Sequence, residues 1–280
     1  MRSYKDNEIM KAKNIVIYFL IAACLAWFSF PIAWAVLGSF KTRFDFFSTT
    51  PLVFFSPTLE NYVRVFSLQH IERNLINSLL VSVPSALLGT FVGAMAGYSL
   101  ARFKFWGRDN LAYWFLSMRI IPPIVVLPAL YFTFLWLGLV GTPYSLIILY
   151  PTFIFPFTVW MMRSFFTEVP VQCEEAATLE GCSRLQVLRW IVLPLCQHGL
   201  FATFTFVLVV CWNEFMAANI LTVGESKTVP VQIASYVQPW GTDWGSLLCT
   251  VVISIAPLIV ITFLVQKYMV RAFTTGAVKG

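Results

Sequence analysis

The sequence predicts an all-α membrane protein with six transmembrane helices and both termini in the cytoplasm. Three observations support this prediction: the composition, the length of the apolar segments, and the uneven distribution of Lys and Arg between the loops. Of the 280 residues, 59% are hydrophobic and 11% are charged, and the mean hydropathy is +0.77. A soluble protein has about 25% charged residues and could not bury this much apolar surface. The composition therefore excludes an ordinary soluble enzyme, a disordered chain and a small disulfide-rich domain.

Six segments contain the roughly 20 mainly apolar residues that a helix needs to cross a bilayer. They are predicted at residues 15–40, 75–101, 111–138, 144–162, 199–222 and 247–270. Together they predict a transmembrane domain over 15–270, between an N-terminal segment at 1–14 and a tail at 271–280. The first segment is 26 residues long. The apolar core of a signal peptide has about 7–15 residues, so we expect this segment to be an uncleaved anchor.

The loops differ in positive charge. Of the 19 Lys and Arg residues, 13 lie on one side, in the N-terminal segment, in the loops after the second and fourth segments, and at the C-terminal end from Lys267 onward, whereas 5 lie on the other side. The remaining one, Arg119, lies within the third segment. Because loops rich in Lys and Arg stay in the cytoplasm, both termini are predicted to be cytoplasmic, with membrane lipid around the segments. The positive residues form no basic stripe, so no nucleic-acid partner is expected.

The second segment has a small residue at every fourth position. These residues are Ser85, Gly89, Gly93, Gly97 and Ala101. Small side chains let helix backbones approach closely in lipid, where close packing drives helix association. The spacing therefore predicts a helix-packing face, and it fits a neighbouring helix of this chain and a helix of another subunit equally well.

The loop between the fourth and fifth segments is polar and is predicted to fold as two short helices. Pro170 is suited to the start of the first helix, and Gly181 to a left-handed cap at its end. Ser183 followed by Gln186 predicts a capping box that opens the second helix. Pro194 is expected to break that helix where the chain enters the membrane again. This helix–glycine–helix element suits a docking site, and a solvated linker is the alternative.

The spacing of residues in this loop favours docking. Glu175, Ala176 and Ala177 are followed after three residues by Gly181, and after nine more by Ile-x-Leu-Pro, which ends at Pro194. This pattern resembles the EAA loop of permease subunits of ATP-driven, binding-protein-dependent importers, with the loop spanning 167–195. Further stretches resemble the carbohydrate branch of that family, and within it the smaller permease of maltose-type systems. These stretches are 119–142, 211–215, 227–236 and 271–280.

The resemblance implies which residues contact an ATPase. In that family the EAA loop lies in a cleft of a cytoplasmic ATPase subunit. The loop residues concerned are Glu174, Glu175, Ala176, Ala177, Gly181, Leu193 and Pro194. The family's C-terminal tail also contacts the ATPase pair, which implicates Gly276, Ala277 and Lys279. A frayed terminus is the alternative for this tail.

The resemblance also implies a fold and a set of partners. The fold is that of type I ABC importer permeases, called MetI-like, in a prokaryotic plasma (inner) membrane. The implied partners are a second permease subunit, two ATPase subunits, an extracytoplasmic sugar-binding protein and a carbohydrate substrate. ATP and Mg are expected on the ATPase, with no cofactor bound by this chain. The loops at 41–74 and 223–246 would receive the binding protein, and the 34 residues of the first exceed the usual loop length.

The residues themselves agree with a separate ATPase. Neither Lys-Thr pair, at 41–42 or at 227–228, follows a glycine, so the chain encodes no phosphate-binding loop. The two His residues lie far apart, and no metal site is expected. A membrane-embedded enzyme and an ion-coupled secondary transporter are the alternative functions. The enzyme would need a catalytic motif, and the sequence has no recognisable one. The secondary transporter would be supported by an internal repeat, and no repeat is recognisable.

Two ionisable residues within the apolar segments predict a substrate pathway. Such residues are costly in lipid and usually face a protein interior or a water-filled cavity. At 1.5 Å per residue, Arg119 and Glu214 differ by about 10 Å in depth, so separate partners are expected. Both anchoring of helices and direct contact with substrate remain open for this pair. The residues predicted to line the pathway are Arg119, Pro122, Pro123, Trp212, Asn213 and Glu214.

Overall fold

The structure is a computed structural model that describes residues 2–48 and 54–277, with side chains described for 13–48 and 54–265. The described residues form helices and one short hairpin. The helices are α1 (Arg2–Ser39), α2 (Arg43–Phe46), α3 (Glu60–Ser67), α4 (Ile71–Arg102), α5 (Arg108–Ser117), α6 (Pro123–Trp136), α7 (Pro143–Glu168), α8 (Val171–Leu179), α9 (Arg184–Val187), α10 (Leu193–Leu195), α11 (Gln197–Trp212), α12 (Met216–Leu221), α13 (Val229–Ser235) and α14 (Trp244–Ala277). The antiparallel hairpin consists of β1 (Val237–Gln238) and β2 (Gly241–Thr242).

The predicted all-α membrane class is confirmed. Four helices are long and apolar enough to cross a membrane alone: Lys13–Ser39 within α1, all of α4, all of α7, and Trp244–Val265 within α14. Two bent pairs meet the same criterion only when taken together, which gives up to six spans. The pairs are Arg108–Ile120 with Pro123–Trp136, bent by 89°, and Arg184–Leu195 with Gln197–Trp212, bent by 78°.

The third predicted segment, 111–138, is not one continuous helix. After α5 a short 3₁₀ turn covers Met118–Ile120, and Ile121 then adopts an extended backbone with φ −73° and ψ 117°. Pro122 and Pro123 have no backbone N–H, and a residue that precedes proline is disfavoured in a helix. The chain therefore turns here, and α6 begins at Pro123. Proline is tolerated at this position because the N–H of the first helical residue would have no hydrogen-bond partner within the helix.

The fifth predicted segment, 199–222, is also interrupted. Helix α11 ends at Trp212, and α12 begins at Met216 after a non-helical stretch. The Glu214 carboxylate in this stretch accepts hydrogen bonds from the backbone N–H groups of Ala217 (2.9 Å) and Ala218 (3.1 Å). The first N–H groups of a helix have no partner within it, so this carboxylate caps α12. The interruption was not predicted from the apolar run.

The chain forms two compact units, and the first comprises Met1–His70 and Ser235–Ser254. Its centre is the buried Asn61, whose Nδ2 donates to the carbonyl oxygens of Ser39 (2.9 Å) and Lys41 (2.8 Å). The last carbonyls of a helix lack partners within it, so Asn61 closes the end of α1. Gly245 packs against this residue, since a Cβ there would lie 2.7 Å from Asn61 Cγ.

A capping box precedes α2 in this unit. Thr42 and Asp45 form this capping box, and hydrogen bonds from the Thr42 hydroxyl (2.7 Å) and N–H (2.8 Å) hold the pKa of Asp45 below its usual value.

Large aromatic side chains of the same unit are exposed. They are Phe44, Phe54 and, at the hairpin tip, Trp240, which is 84% exposed.

The second unit comprises Ile71–Ala234 and Ile255–Gly280, and its core is the packing of α4 against α7. The small residues of α4 lie on this interface. A Cβ at Gly89 would lie 3.7 Å from Pro151 Cα, one at Gly93 would overlap Thr158, and one at Gly97 would lie 2.8 Å from the Arg163 N. The predicted helix-packing face is therefore used within this chain, and small residues are needed there because the α7 backbone is so close.

A second apolar cluster of this unit joins the ends of α4 and α7 to the helices of the following loop. Its buried members are Ala94, Tyr98, Met162, Phe166, Val169, Ala177, Val187, Leu188, Val192 and Cys196. Because burial of apolar surface is favourable, the loop folds onto the helix ends and is not a free linker. The cluster fixes the position of the helix–glycine–helix element.

Candidate functional site

The loop after α7 folds as the predicted helix–glycine–helix element. Helix α8 begins directly after Pro170, and Gly181 follows its end with φ +92°, a conformation that favours glycine. Ser183 N donates to the Gln186 Oε1 (2.7 Å), and Gln186 N donates to the Ser183 Oγ (3.4 Å), so the capping box is confirmed. The bend lies at Cys196, two residues beyond the predicted break at Pro194, because α10 continues through Leu195.

Neighbouring residues of α8 face different surroundings. Glu175 and Ala176 are exposed, and Leu179 is 89% exposed although it is apolar. Glu174 and Ala177, which were grouped with them in the sequence, are buried against the rest of the chain. Successive residues of a helix lie about 100° apart, so one surface of α8 is packed and the other is open.

The open surface continues past the glycine. Gly181 is exposed, as are Leu185 in α9 and Trp190 in the π-helical turn Leu188–Val192 that follows it. Leu193 is half-buried and packs against the second apolar cluster, whereas Pro194 is exposed. Beside α8 lies a groove of about 450 Å³ that is lined by Glu175, Leu179 and Arg184, and also by Arg102 and Glu174. Exposed apolar side chains next to a groove are typical of a protein-binding surface.

The buried Glu174 binds residues of this chain. Its Oε1 accepts a hydrogen bond from Arg102 Nε at 2.5 Å, and its Oε2 accepts one from the Tyr98 hydroxyl at 3.0 Å. Arg102 also donates from a terminal nitrogen to the Val169 carbonyl at 2.7 Å. The carboxylate therefore has partners on α4, and the sequence grouping of Glu174 with the exposed docking residues does not match its surroundings.

A second candidate site is a cavity of about 220 Å³ between α7, α11 and the bend of the third segment. Both predicted membrane charges, Arg119 and Glu214, line it. The guanidinium of Arg119 lies 5.3 Å from the ring centre of Phe157, and Glu214 Oε2 accepts a hydrogen bond from the Tyr150 hydroxyl at 2.9 Å. The expectation of separate partners for the two charges is confirmed.

The other predicted pathway residues divide between the cavity and its surroundings. Pro123 lines the cavity, whereas Pro122 only precedes α6. Trp212 is 3% exposed, so its ring packs inside the protein and does not line the cavity. Asn213 is exposed, and its Nδ2 donates to the Val209 carbonyl at 2.8 Å. Of the predicted pathway residues, Pro122, Trp212 and Asn213 therefore do not line this cavity.

Aromatic residues that the sequence analysis missed line the cavity. They are Tyr150, Phe153, Phe157 and Phe206. They lie in apolar runs that are indistinguishable from lipid-facing ones, so no signal in the sequence separates them. The combination of two charged groups with aromatic rings provides hydrogen-bonding and stacking groups in one space.

The predicted tail contacts lie at the edge of the described chain. Gly276 and Ala277 are in the last turn of α14, and Lys279 is outside the described residues. Their contact with an ATPase stays a prediction. Among the side chains described, at 13–48 and 54–265, no group of three or more His, Cys, Asp or Glu residues is arranged to hold a metal ion.

The chain is similar to known proteins over most of its length. Residues 87–275 match the family described as "Binding-protein-dependent transport system inner membrane component". The chain is 34% identical over 278 residues to the trehalose/maltose transport system permease protein MalG of Thermococcus litoralis, covering 98% of this chain and 99% of that protein. It is 29% identical over 253 residues to the diacetylchitobiose uptake system permease protein DasC of Streptomyces coelicolor, covering 90% and 92%.

The fold also matches solved transporters. A chain of a bacterial ABC transporter involved in the import of the acidic polysaccharide alginate superposes with a TM-score of 0.74 at 20% identity, covering 92% of this chain and 96% of that one. A chain of the MetNI methionine ABC transporter superposes with a TM-score of 0.58 at 20% identity, covering 74% and 97%. At this identity the superpositions establish the fold alone, and that fold is MetI-like.

Proposed function

Because this chain belongs to the family of binding-protein-dependent transport system inner membrane components, we propose that it is one of the two permease subunits of an ATP-driven carbohydrate importer. Members of the family are channel components of ABC transporters, and their ATPase is a separate subunit. The chain is accordingly a multi-pass inner-membrane permease and neither an enzyme nor an ion-coupled transporter.

Carbohydrate as the substrate class rests on the relatives and on the cavity. The names of the relatives include trehalose, maltose and diacetylchitobiose. The cavity offers groups that a sugar needs: the Arg119 guanidinium to bond hydroxyl groups, and an aromatic ring, that of Phe153, to cover an apolar sugar face. We assign this cavity to the translocation pathway. Glu214 serves there mainly as a structural group, because its carboxylate already accepts three hydrogen bonds.

Coupling to the ATPase is assigned to the open surface of the EAA loop. The observation that carries the proposal is the exposure of Glu175, Ala176 and Leu179 on a loop whose other surface is packed onto the ends of α4 and α7. An exposed carboxylate beside apolar side chains suits a cleft with a cationic rim. ATP and Mg are bound by the ATPase pair, whose closure pushes on this surface.

The remaining partners follow from the same assembly. A second permease subunit completes the pathway, and an extracytoplasmic sugar-binding protein delivers the substrate. The loops at 41–74 and 223–246 receive this protein, which is supported by the exposed aromatic side chains of Phe44, Phe54 and Trp240. Aromatic residues are enriched in protein interfaces. Both termini and the EAA loop lie in the cytoplasm, as the distribution of positive charge favours.

Purification of the tagged chain from its native membranes tests this proposal. We expect an ATPase subunit and a second permease to co-purify with it, and the reconstituted complex to take up carbohydrate only with ATP and a binding protein present. A chain that is purified alone and that moves carbohydrate without ATP would overturn the proposal.

A further inference from the structure

We infer that Glu174 is a positioning residue: with Arg102 it fastens the first helix of the EAA loop to the end of α4, so that the loop and this helix move together. The inference rests on the proposed function, because it concerns how motion passes from the ATPase into the membrane. It gives Glu174 a role different from that of Glu175, its neighbour in the sequence.

The contacts of Glu174 are made within this chain and leave little of it accessible, although Glu174 and Arg102 border the groove beside α8. Its residue exposure is 3%, and each carboxylate oxygen accepts a hydrogen bond from α4, one from Arg102 Nε (2.5 Å) and one from the Tyr98 hydroxyl (3.0 Å). The side chain of Arg102 is 10% exposed. A buried carboxylate is costly unless it is paired and hydrogen-bonded, and here both conditions are met.

Arg102 connects three parts of the unit. It is the last residue of α4, it pairs with Glu174 on α8, and it donates to the Val169 carbonyl (2.7 Å) just after α7. A guanidinium presents its donors in a fixed planar arrangement, so bonds in two directions restrict the relative movement of the groups it joins. The end of α4, the end of α7 and the start of α8 are therefore held by one side chain.

Apolar packing surrounds this polar connection. The Tyr98 ring meets Phe166 of α7 edge to face with ring centres 5.5 Å apart, and Ala177 of α8 belongs to the same buried cluster. Further along, the close approach of Gly93 and Gly97 to α7 joins the two long helices. Packed interiors transmit displacement because they have little free volume. A push on α8 is thus passed to α4 through Glu174 and to α7 through the cluster.

The structure also supplies a matched control. Glu168, at the end of α7, has the same chemistry and lies six positions before Glu174, but its side chain is exposed. Removal of a carboxylate at either position changes the net charge equally. Only removal at 174 takes away the connection to α4.

The test compares Glu174→Ala, Glu174→Gln and Glu168→Ala in the complete complex purified with its ATPase. Amide hydrogen exchange of α4 is measured without nucleotide and with ATP and vanadate, which traps the closed ATPase. We expect the ATPase to co-purify with all variants, because the exposed residues Glu175, Ala176 and Leu179 are unchanged. The change in exchange at the end of α4 on trapping should occur in wild type and in Glu168→Ala, and should be lost in Glu174→Ala.

Glu174→Gln is the variant to measure if Glu174→Ala does not fold. Its side chain has the same size, and its amide oxygen still accepts one hydrogen bond. We expect this variant to fold and to show a reduced response of α4. A response equal to that of wild type in a folded Glu174 variant would overturn the inference, as would no response of α4 in wild type with ATPase bound. If no ATPase co-purifies with wild type, the proposed function itself is wrong.

Discussion

Arg119 and Glu214 line the same cavity, yet each contacts a different aromatic residue of α7 and not the other charge. Arg119 lies over Phe157, and Glu214 accepts a hydrogen bond from Tyr150. Among the described residues, no ion pair joins the two charges. The lining of the cavity thus contains a cation, an anion and several aromatic rings. This arrangement leads to different expectations for the two residues.

Replacement of Glu214 is expected to destabilise the protein. Glu214→Ala leaves the Tyr150 hydroxyl and the N–H groups of Ala217 and Ala218 without their acceptor, at a cost of about 1–3 kcal/mol for each buried group left unsatisfied. Tyr150→Phe removes one of these bonds and should cost about 0.5–1.5 kcal/mol. The unfolding temperature of the purified complex should fall more for the first variant. Equal falls would contradict the capping role of Glu214.

Replacement of Arg119 is expected to impair uptake with little effect on stability. The guanidinium is exposed in this chain, and a cation–π contact at such a site contributes about 0.5–1 kcal/mol. Carbohydrate uptake by cells should therefore drop in Arg119→Leu at unchanged protein level. Arg119→Lys is the control, because it keeps the charge. Full uptake by the Leu variant would exclude Arg119 from the pathway.

A larger residue at Gly97 is expected to separate α4 from α7. A Cβ there would already lie 2.8 Å from Arg163 N and 2.9 Å from Met162 Cβ, so Gly97→Val must displace the α7 backbone. Overpacking of this kind costs about 1–3 kcal/mol. Leu88→Val serves as the control, because Leu88 is an exposed residue of the same helix. The yield of folded complex should fall only for the Gly97 variant, and equal yields would contradict the observed packing.

Reversal of charge at Glu175 is expected to uncouple ATP hydrolysis from uptake. Glu175 is exposed on the open surface of α8, so Glu175→Lys should leave the fold intact and weaken the contact with a cationic ATPase rim. The ratio of carbohydrate moved to ATP hydrolysed should fall, while Glu168→Lys keeps the wild-type ratio. Normal uptake by well-expressed Glu175→Lys would count against this role.

Much of the loop could be predicted from the sequence because its signals are local. A proline before α8, the left-handed Gly181 and the Ser183–Gln186 box each act within a few residues. The apolar segments were recognisable for the same reason. The angle between α5 and α6 could not be predicted, because proline indicates a break but not its direction.

The partners of buried polar groups could not be predicted either. Glu174 and Glu175 are adjacent and chemically identical, and only the position of α4 decides which of them is buried. Tyr150 and Glu214 are 64 residues apart, and nothing near either one indicates the other. Contacts of this kind depend on tertiary packing, which a single sequence does not encode in local patterns.

Photo-crosslinking from the open surface of α8 tests whether this surface contacts the ATPase. A photoreactive amino acid at Leu179, which is 89% exposed, is irradiated in native membranes, with Leu87, a 56% exposed residue of α4, as the control position. We expect a covalent adduct with an ATPase subunit from position 179 and none from position 87. The absence of an ATPase adduct at 179 in a folded, fully labelled protein would contradict this contact.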